Sequence, residues 1–148
     1  MKTIRVRVIK NGTVIDHIPN NKALKVIDIL DLQDQGILTI GVSYSSQKMG
    51  KKDIIKVENK YLEKEETDKL SLIAPNATIN IIKDGEIVEK RKIEQPQEYV
   101  NVVKCLNPNC ITAKTPAISR FKIVKTSPIV LRCHYCERII KSGDVEIL

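Results

Sequence analysis

Apolar and polar residues alternate in several short runs of the first hundred residues, a pattern typical of β-strands. Residues 4–10 predict a first strand ending at the Asn11-Gly12 turn, and residues 13–18 continue as extended chain. Residues 37–44 predict a largely buried strand, and residues 53–58 predict another. The pattern therefore indicates a β-sheet built from short, sequentially separated strands.

Two segments between these strands carry helical spacing. Residues 22–33 predict a helix with Asn21 as N-cap and Gly36 beyond its end. The predicted inward face of this helix is Ala23, Leu24, Val26, Ile27 and Leu30. Residues 62–73 predict a second helix, because its acidic start suits the positive end of a helix dipole.

Residues 77–83 and 86–93 flank Asp84-Gly85, which is the signature of a β-hairpin. The order strand, helix, strand, strand, helix, strand, with one further strand, predicts a ferredoxin-like domain in which two helices cover one face of an antiparallel sheet. We place this domain at residues 1–95 and a linker around Pro96 at residues 96–101. The fold class is predicted to be α+β, with a small all-β domain at residues 102–148.

The second domain contains all four cysteines of the chain, arranged as two close pairs with 22 residues between them. Four thiolates in this spacing can form the closed tetrahedral shell of a structural Zn²⁺ ion. So small a domain lacks an ordinary core, and a bound metal would offset that deficit. The predicted ligands of one structural zinc per chain are Cys105, Cys110, Cys133 and Cys136.

Disulfides Cys105–Cys110 and Cys133–Cys136 are the main alternative, with a redox role for the second pair a more distant one. Disulfides require an oxidising compartment. The N-terminus has no continuous apolar stretch typical of a signal peptide, so a cytoplasmic location and a metal site are favoured. His134 is interpreted as a surface residue, because the tetrahedron is already full.

The net charge of +7 is concentrated in the second domain: residues 101–148 carry 8 basic against 3 acidic side chains. Such a domain suits an acidic partner, either nucleic acid or an acidic protein surface, although a solvated basic face needs no partner at all. A zinc-ribbon nucleic-acid binder is the strongest rival, but the C-x4-C pair and the scarcity of aromatics disfavour it. No membrane span, nucleophile–base pair or Walker-type loop is present, so we expect no membrane partner and no enzyme activity.

The chain resembles the regulatory chain of aspartate carbamoyltransferase nearly end to end. The resemblance depends on four motifs in order: residues 11–19, residues 49–59, residues 74–80, and the cysteine pairs with their intervening Asn107 and Asn109. It implies a non-catalytic subunit of an enzyme of pyrimidine biosynthesis. It also implies an allosteric domain that binds CTP as inhibitor and ATP as activator, with UTP a further candidate, and that pairs with a second regulatory chain. No nucleic-acid partner is implied.

The resemblance also implies the site residues, each of which alone would be an ordinary strand or turn position. Lys56 and Lys90 match phosphate-binding lysines, and Asp16 matches a residue that holds the ribose. His17 matches a residue that helps to position the phosphates, and Asn80 one near the sugar and its phosphates. The base would be contacted around Ile9, Val14, Ile82 and Ile87, and Lys52 matches a residue near a second nucleotide position. Contacts to the catalytic chain are implied for Asn107, Asn109, Glu137 and Arg138.

Overall fold

The computed structural model describes residues 9–148, which pack into two units. The first unit comprises the chain up to Glu63 together with Asn76–Ile93, and the second comprises Lys64–Pro75 and Glu94–Leu148. Most of the strand predicted at residues 4–10 lies outside the described residues, and Ile9 and Lys10 do not form a strand.

The first unit contains one five-stranded antiparallel sheet in the order β2-β3-β1-β4-β5. Its elements are β1 (Gly12–Pro19), α1 (Ala23–Ile29), β2 (Leu38–Ser46), β3 (Gly50–Glu58), β4 (Thr78–Lys83) and β5 (Glu86–Lys92). The order of the first four strands is that of a ferredoxin-like sheet, and β5 extends it beyond β4. The predicted α+β fold class is confirmed.

The predicted hairpin is formed by β4 and β5. Its two turn residues, Asp84 and Gly85, have φ values of 52° and 79°. Positive φ at both central residues matches the twist of the flanking strands, and aspartate followed by glycine tolerates it. The turn chemistry of this pair therefore sets the register in which β4 and β5 meet.

The two faces of the sheet differ sharply in chemistry. Ile15 of β1 pairs with Ile55 of β3 and with Ile79 of β4, and all three side chains are buried. Residues directly opposite each other point to the same face, so these isoleucines form one apolar layer. The neighbouring positions Val14, Lys56 and Asn80 therefore lie on the other face.

Helix α1 is shorter than predicted, and its N-cap is Lys22 rather than Asn21. The buried carboxylate of Asp53 on β3 accepts hydrogen bonds from the backbone N–H of Ala23, at 3.0 Å, and of Ser43, at 3.1 Å. A distant acid thus satisfies the first helical N–H, which a local cap normally does. Leu24 was expected to face inward, but it is 70% exposed.

Strand β2 lies at the edge of the sheet formed by the described residues, and the prediction that it is largely buried is wrong. Ile40, Val42 and Tyr44 are exposed by 40%, 50% and 49%. Sequence hydrophobicity could not distinguish a strand covered by its own chain from one left open at an edge. The described residues therefore leave an exposed row of apolar side chains along this strand.

The second unit contains a four-stranded sheet in the order β10-β9-β8-β6 and a two-stranded sheet of β11 and β7. Its elements are α2 (Lys64–Ile73), β6 (Glu98–Val100), β7 (Val103–Lys104), α3 (Ile111–Lys114), β8 (Arg120–Thr126), β9 (Ile129–Cys133), β10 (Ile139–Lys141), a 3-10 turn (Ser142–Asp144) and β11 (Glu146–Ile147). No helix in the described part of the chain is long and apolar enough to cross a membrane.

Helix α2 follows β3 in the chain, yet it packs within the second unit. Leu72 belongs to the hydrophobic cluster of that unit, with Tyr99, Phe121 and Leu131. The buried hydroxyls of Ser71 and Tyr99 lie 2.7 Å apart, and Ser71 also donates to the carbonyl of Asp68, so Tyr99 is the donor of the pair. The helix is therefore held by both apolar and polar contacts.

Candidate metal centre and nucleotide-binding face

The four cysteine sulfurs form one compact cluster, with all Sγ atoms within 4.8 Å of one another. Cys105 Sγ lies 3.6 Å from Cys136 Sγ, and Cys110 Sγ lies 3.8 Å from Cys133 Sγ. A tetrahedron with metal–sulfur bonds of about 2.3 Å has edges of about 3.8 Å. All four cysteines are free thiols, so neither disulfide of the alternative interpretation is formed. The donor set fits a tetrahedral metal ion.

Each pair is held by a tight turn next to a strand or helix. Cys105 follows β7, and Cys110 directly precedes α3. Cys133 ends β9, where its N–H donates to the carbonyl of Arg138 at 2.9 Å while its own carbonyl accepts the N–H of Glu137 at 3.0 Å. Glu137 has a φ of 64°, which lets the chain turn back into β10. The neighbouring strands and helix thus hold the Cys105–Cys110 turn and the Cys133–Cys136 turn with their sulfurs in one cluster.

Cys105 and Cys136, whose sulfurs lie 3.6 Å apart, have pKa values shifted in opposite directions. Burial and the neighbouring thiols raise the pKa of Cys105 to about 12, against the lowering effect of the Asn107 N–H. Burial also raises the pKa of Cys136. There, however, the N–H of Arg138, the side-chain amide of Asn107 and the neighbouring thiols outweigh burial and lower the pKa to about 7.

Cys110 and Cys133, whose sulfurs lie 3.8 Å apart, also have pKa values shifted in opposite directions. Burial of Cys110 is outweighed by the hydroxyl and N–H of Thr112, whose hydroxyl lies 3.2 Å from the sulfur, so the pKa of Cys110 is lowered. Burial keeps the pKa of Cys133 raised, despite N–H donors from Cys136 and Tyr135. In each of these two sulfur–sulfur contacts, one thiol therefore has a lowered pKa and the other a raised pKa. A cation that removes the remaining protons would complete the site.

The predicted nucleotide residues cross the polar face of the five-stranded sheet. Val14 pairs with Lys56 on one side and with Asn80 on the other, and Asn80 pairs with Lys90. These four residues form one row over four strands and point to the same face. No hydrogen bond or ion pair to a described residue engages the ammonium group of either lysine. Asn80 Oδ1 is buried and has no hydrogen-bond partner among the described residues.

Asp16 and His17 follow Val14 on β1 and lie at a bulge in the pairing of β1 with β3. The Asp16 carboxylate is 2.9 Å from Lys52 Nζ and accepts the N–H of His17 at 2.6 Å. His17 Nδ1 lies 2.9 Å from the hydroxyl of Thr78. Lys52 is therefore paired with the carboxylate of Asp16. Since Asp16 lies two residues after Val14 on β1, this ion pair is next to the row formed by Lys56, Val14, Asn80 and Lys90.

The apolar residues predicted around the base differ in exposure. Ile9 and Ile82 are buried, Val14 is half-buried and Ile87 is 58% exposed. Ile82 lies two residues beyond Asn80 on β4, hence on the same face, and it pairs with Ile87 of β5. An open apolar position thus borders the polar row.

The residues predicted to contact the catalytic chain surround the cysteines. Asn109, Glu137 and Arg138 are exposed, whereas Asn107 is half-buried. Thr112 was not predicted from the sequence, although a hydroxyl two residues after a cysteine ligand is a usable signal for a hydrogen bond to sulfur. Thr78 was also missed, because its contact with His17 depends on the register of β1 and β4.

Comparison with known families assigns both parts of the chain. Residues 4–94 match the model described as the aspartate carbamoyltransferase regulatory chain, allosteric domain. Residues 97–146 match the model described as the aspartate carbamoyltransferase regulatory chain, metal binding domain. The two models therefore cover the sheet with its polar row and the cysteine cluster in turn.

Individual relatives match along almost their whole length. The aspartate carbamoyltransferase regulatory chain of Thermococcus sibiricus is 49% identical, over 98% of this chain and 97% of the relative. The regulatory chain of Thermoplasma volcanium is 50% identical, over 97% of each, and that of Methanothermobacter thermautotrophicus is 46% identical, over 97% and 93%. With both domains matched in order, the chain belongs to the aspartate carbamoyltransferase regulatory chain family and is a non-catalytic subunit of that enzyme complex.

Proposed function

We propose that this subunit binds nucleoside triphosphates on the polar face of its five-stranded sheet and passes the effect to catalytic chains of pyrimidine biosynthesis. CTP is the proposed inhibitor and ATP the proposed activator, with UTP as a further effector. The observation that carries the proposal is the row of Lys56, Val14, Asn80 and Lys90 across four strands. Two cations without ion-pair partners among the described residues then lie on either side of an unsatisfied amide oxygen.

The chemistry of the row supports a polyphosphate nucleotide over a neutral ligand. Ammonium groups make charge-assisted hydrogen bonds to phosphate oxygens. The buried oxygen of Asn80 needs a donor, which a ribose hydroxyl supplies. The Asp16 carboxylate would accept a hydrogen bond from the other ribose hydroxyl. This bond would replace part of the present contact between Asp16 and Lys52. Ile82 and Ile87 would line the base, while backbone groups near Ile9 read its edge.

Titration calorimetry of CTP and ATP tests this site. Replacing Lys56 or Lys90 with alanine is expected to weaken binding about 10- to 100-fold, because a hydrogen bond to a charged group contributes about 1.5–3 kcal/mol. Arg91→Ala is the matched control, since Arg91 is a neighbouring cation on β5 whose pairing with Ile79 places it on the opposite face. Wild-type affinity in both lysine variants would rule out the polar face as the phosphate site.

We propose Zn²⁺ as the metal of the second unit, one ion per chain, bound by the four cysteines. When bound, it supplies a rigid tetrahedral cross-link and no open position for catalysis. The burial of Cys105, Cys110 and Cys133 and the absence of oxygen ligands among the described residues favour zinc over calcium or magnesium. Four reduced thiols also support a cytoplasmic location.

The turns around the metal are the proposed contact with the catalytic chain. Asn109, Glu137 and Arg138 are exposed on short turns that a bound ion would hold rigid. Amide and guanidinium groups on a rigid turn are effective donors to carboxylates of a partner. Nucleotide binding would then bias an equilibrium between two arrangements of the whole enzyme.

We further propose that two regulatory chains pair through the edge of β2. The other edge strand, β5, exposes Ile87 and Val88 next to a run of charged residues, whereas β2 exposes Ile40, Val42 and Tyr44 and contains no charged residue. Val42→Glu is expected to convert the isolated chain from dimer to monomer in sedimentation velocity. Val124→Glu, at an exposed valine of the second unit, should leave the dimer intact. A dimer that survives Val42→Glu at wild-type strength would place the pairing surface elsewhere.

A further inference from the structure

Two residues that precede β1 contact the turn between β4 and β5. The carbonyl of Lys10 accepts the N–H of Gly85 at 2.8 Å, and the side-chain oxygen of Asn11 accepts the N–H of Asp84 at 3.1 Å. The hydrogen bond of a two-residue turn joins its first and last residues, so the N–H groups of the two central residues need acceptors elsewhere. The chain that enters β1 supplies both acceptors, one from its backbone and one from a side chain.

The same segment is attached to β3 on its other side. The carbonyl of Asn11 accepts the N–H of Asn59, directly after β3, at 2.9 Å. A Cβ atom at Gly12 would collide with the carbonyl oxygen of Val57, so the backbone here approaches β3 as closely as only glycine permits. Loss of the Asn11 side chain would therefore leave this segment attached to β3 and weaken only its contact with the turn.

The turn lies next to the apolar positions that border the polar row. One step along the strands from that row, Gly12 pairs with Ile82 and Ile82 pairs with Ile87. Ile87 is exposed and follows the turn by two residues, whereas Ile9 is buried in the chain that enters β1. The position of the turn therefore sets the separation between Ile87 and the backbone near Ile9, which are the two proposed sides of the base site.

We propose that Asn11 is a positioning residue for the base of the bound nucleotide, because it holds the β4–β5 turn against the chain that enters β1. This role rests on the proposed nucleotide site but is separate from the phosphate contacts of Lys56 and Lys90. Both lysines are held in place by strand pairing, which the Asn11 side chain does not support. Loss of the Asn11 acceptor would thus loosen the base site and leave the phosphate site intact.

Titration calorimetry with two ligands separates these parts of the site. CTP carries a base, whereas inorganic tripolyphosphate, measured by its displacement of CTP, carries none. In Asn11→Ala the affinity for CTP is expected to fall about three- to tenfold, as is typical of one lost hydrogen bond, while that for tripolyphosphate stays within twofold of wild type. Asn11→Asp keeps the acceptor for the Asp84 N–H, and its added charge repels both anions alike. The ratio of the two affinities should therefore return to the wild-type value in Asn11→Asp.

Asn76→Ala is the matched control, since Asn76 is an exposed asparagine at the opposite end of β4 from the turn, and its ratio should equal that of wild type. Lys90→Ala should weaken both ligands and leave their ratio unchanged within about threefold. If Asn11→Ala does not fold, Asn11→Leu, which has a similar size and no acceptor, takes its place. An unchanged ratio, or an equal loss for both ligands, would overturn the role of Asn11. Failure of the wild-type chain to bind CTP, or of tripolyphosphate to displace it, would instead refute the nucleotide site itself.

Discussion

Removal of the metal is expected to unfold the second unit while the five-stranded sheet remains folded. Three cysteines, Cys105, Cys110 and Cys133, belong to the hydrophobic cluster of that unit. Structural zinc contributes about 10–16 kcal/mol in small zinc peptides, which equals or exceeds the whole stability of a typical domain of about 5–15 kcal/mol. The sheet has its own apolar layer of Ile15, Ile55 and Ile79.

Amide NMR spectra before and after chelation measure this effect, with readdition of zinc as the reversibility control. Signals of residues 94–148 should collapse to random-coil positions, and those of α2 should follow because the helix packs in the second unit. Nucleotide affinity should change less than tenfold, whereas assembly with the catalytic chain should be lost. Native amide signals of residues 94–148, or full assembly, in metal-free protein would contradict the expectation.

Local sequence signals were sufficient where the structure depends on near neighbours. The Asp84-Gly85 turn, the alternation along β1 and β3 and the two cysteine pairs each depend on residues a few positions apart. The order of these elements then leaves few topologies, and the ferredoxin-like arrangement is one of them. The cysteine cluster is predictable for the same reason, because close ligand pairs already share one turn each.

Features that depend on distant residues could not be predicted. Asp53 caps α1 from a strand 30 residues away, so Asn21 looked like the better cap. The apolar residues of β2 are indistinguishable in sequence from those of a central strand. Helix α2 packs through Leu72 and Tyr99, a contact for which its own periodicity gives no evidence.

The candidate site shows the same division. The residues of the polar row were named through family resemblance, but their placement in one row needs the registers of three strand pairs. The contact of Lys52 with Asp16 likewise follows from the bulge in β1.

Metal affinity is expected to fall steeply as the pH is lowered, because the ion must displace protons from thiols whose pKa values are raised. The pKa of Cys105 is raised to about 12 and that of Cys133 is also raised, so both are protonated near neutral pH without metal. Binding then releases at least two protons, and affinity rises at least 100-fold per pH unit above pH 7. Below pH 7 the side chain of Cys136, whose pKa is about 7, is a protonated thiol, and metal binding releases a third proton from it.

The thiolate form binds the metal, so stabilisation by the ion is fully present at high pH and is lost as pH falls. From pH 8 to pH 6 the affinity should drop by about five orders of magnitude. Competition with a chelator of known pH dependence measures the slope, and calorimetry in two buffers of different ionisation enthalpy counts the protons independently. Release of fewer than one proton per ion would mean that the thiols are ionised before the metal arrives. The raised pKa values of Cys105 and Cys133 would then be wrong.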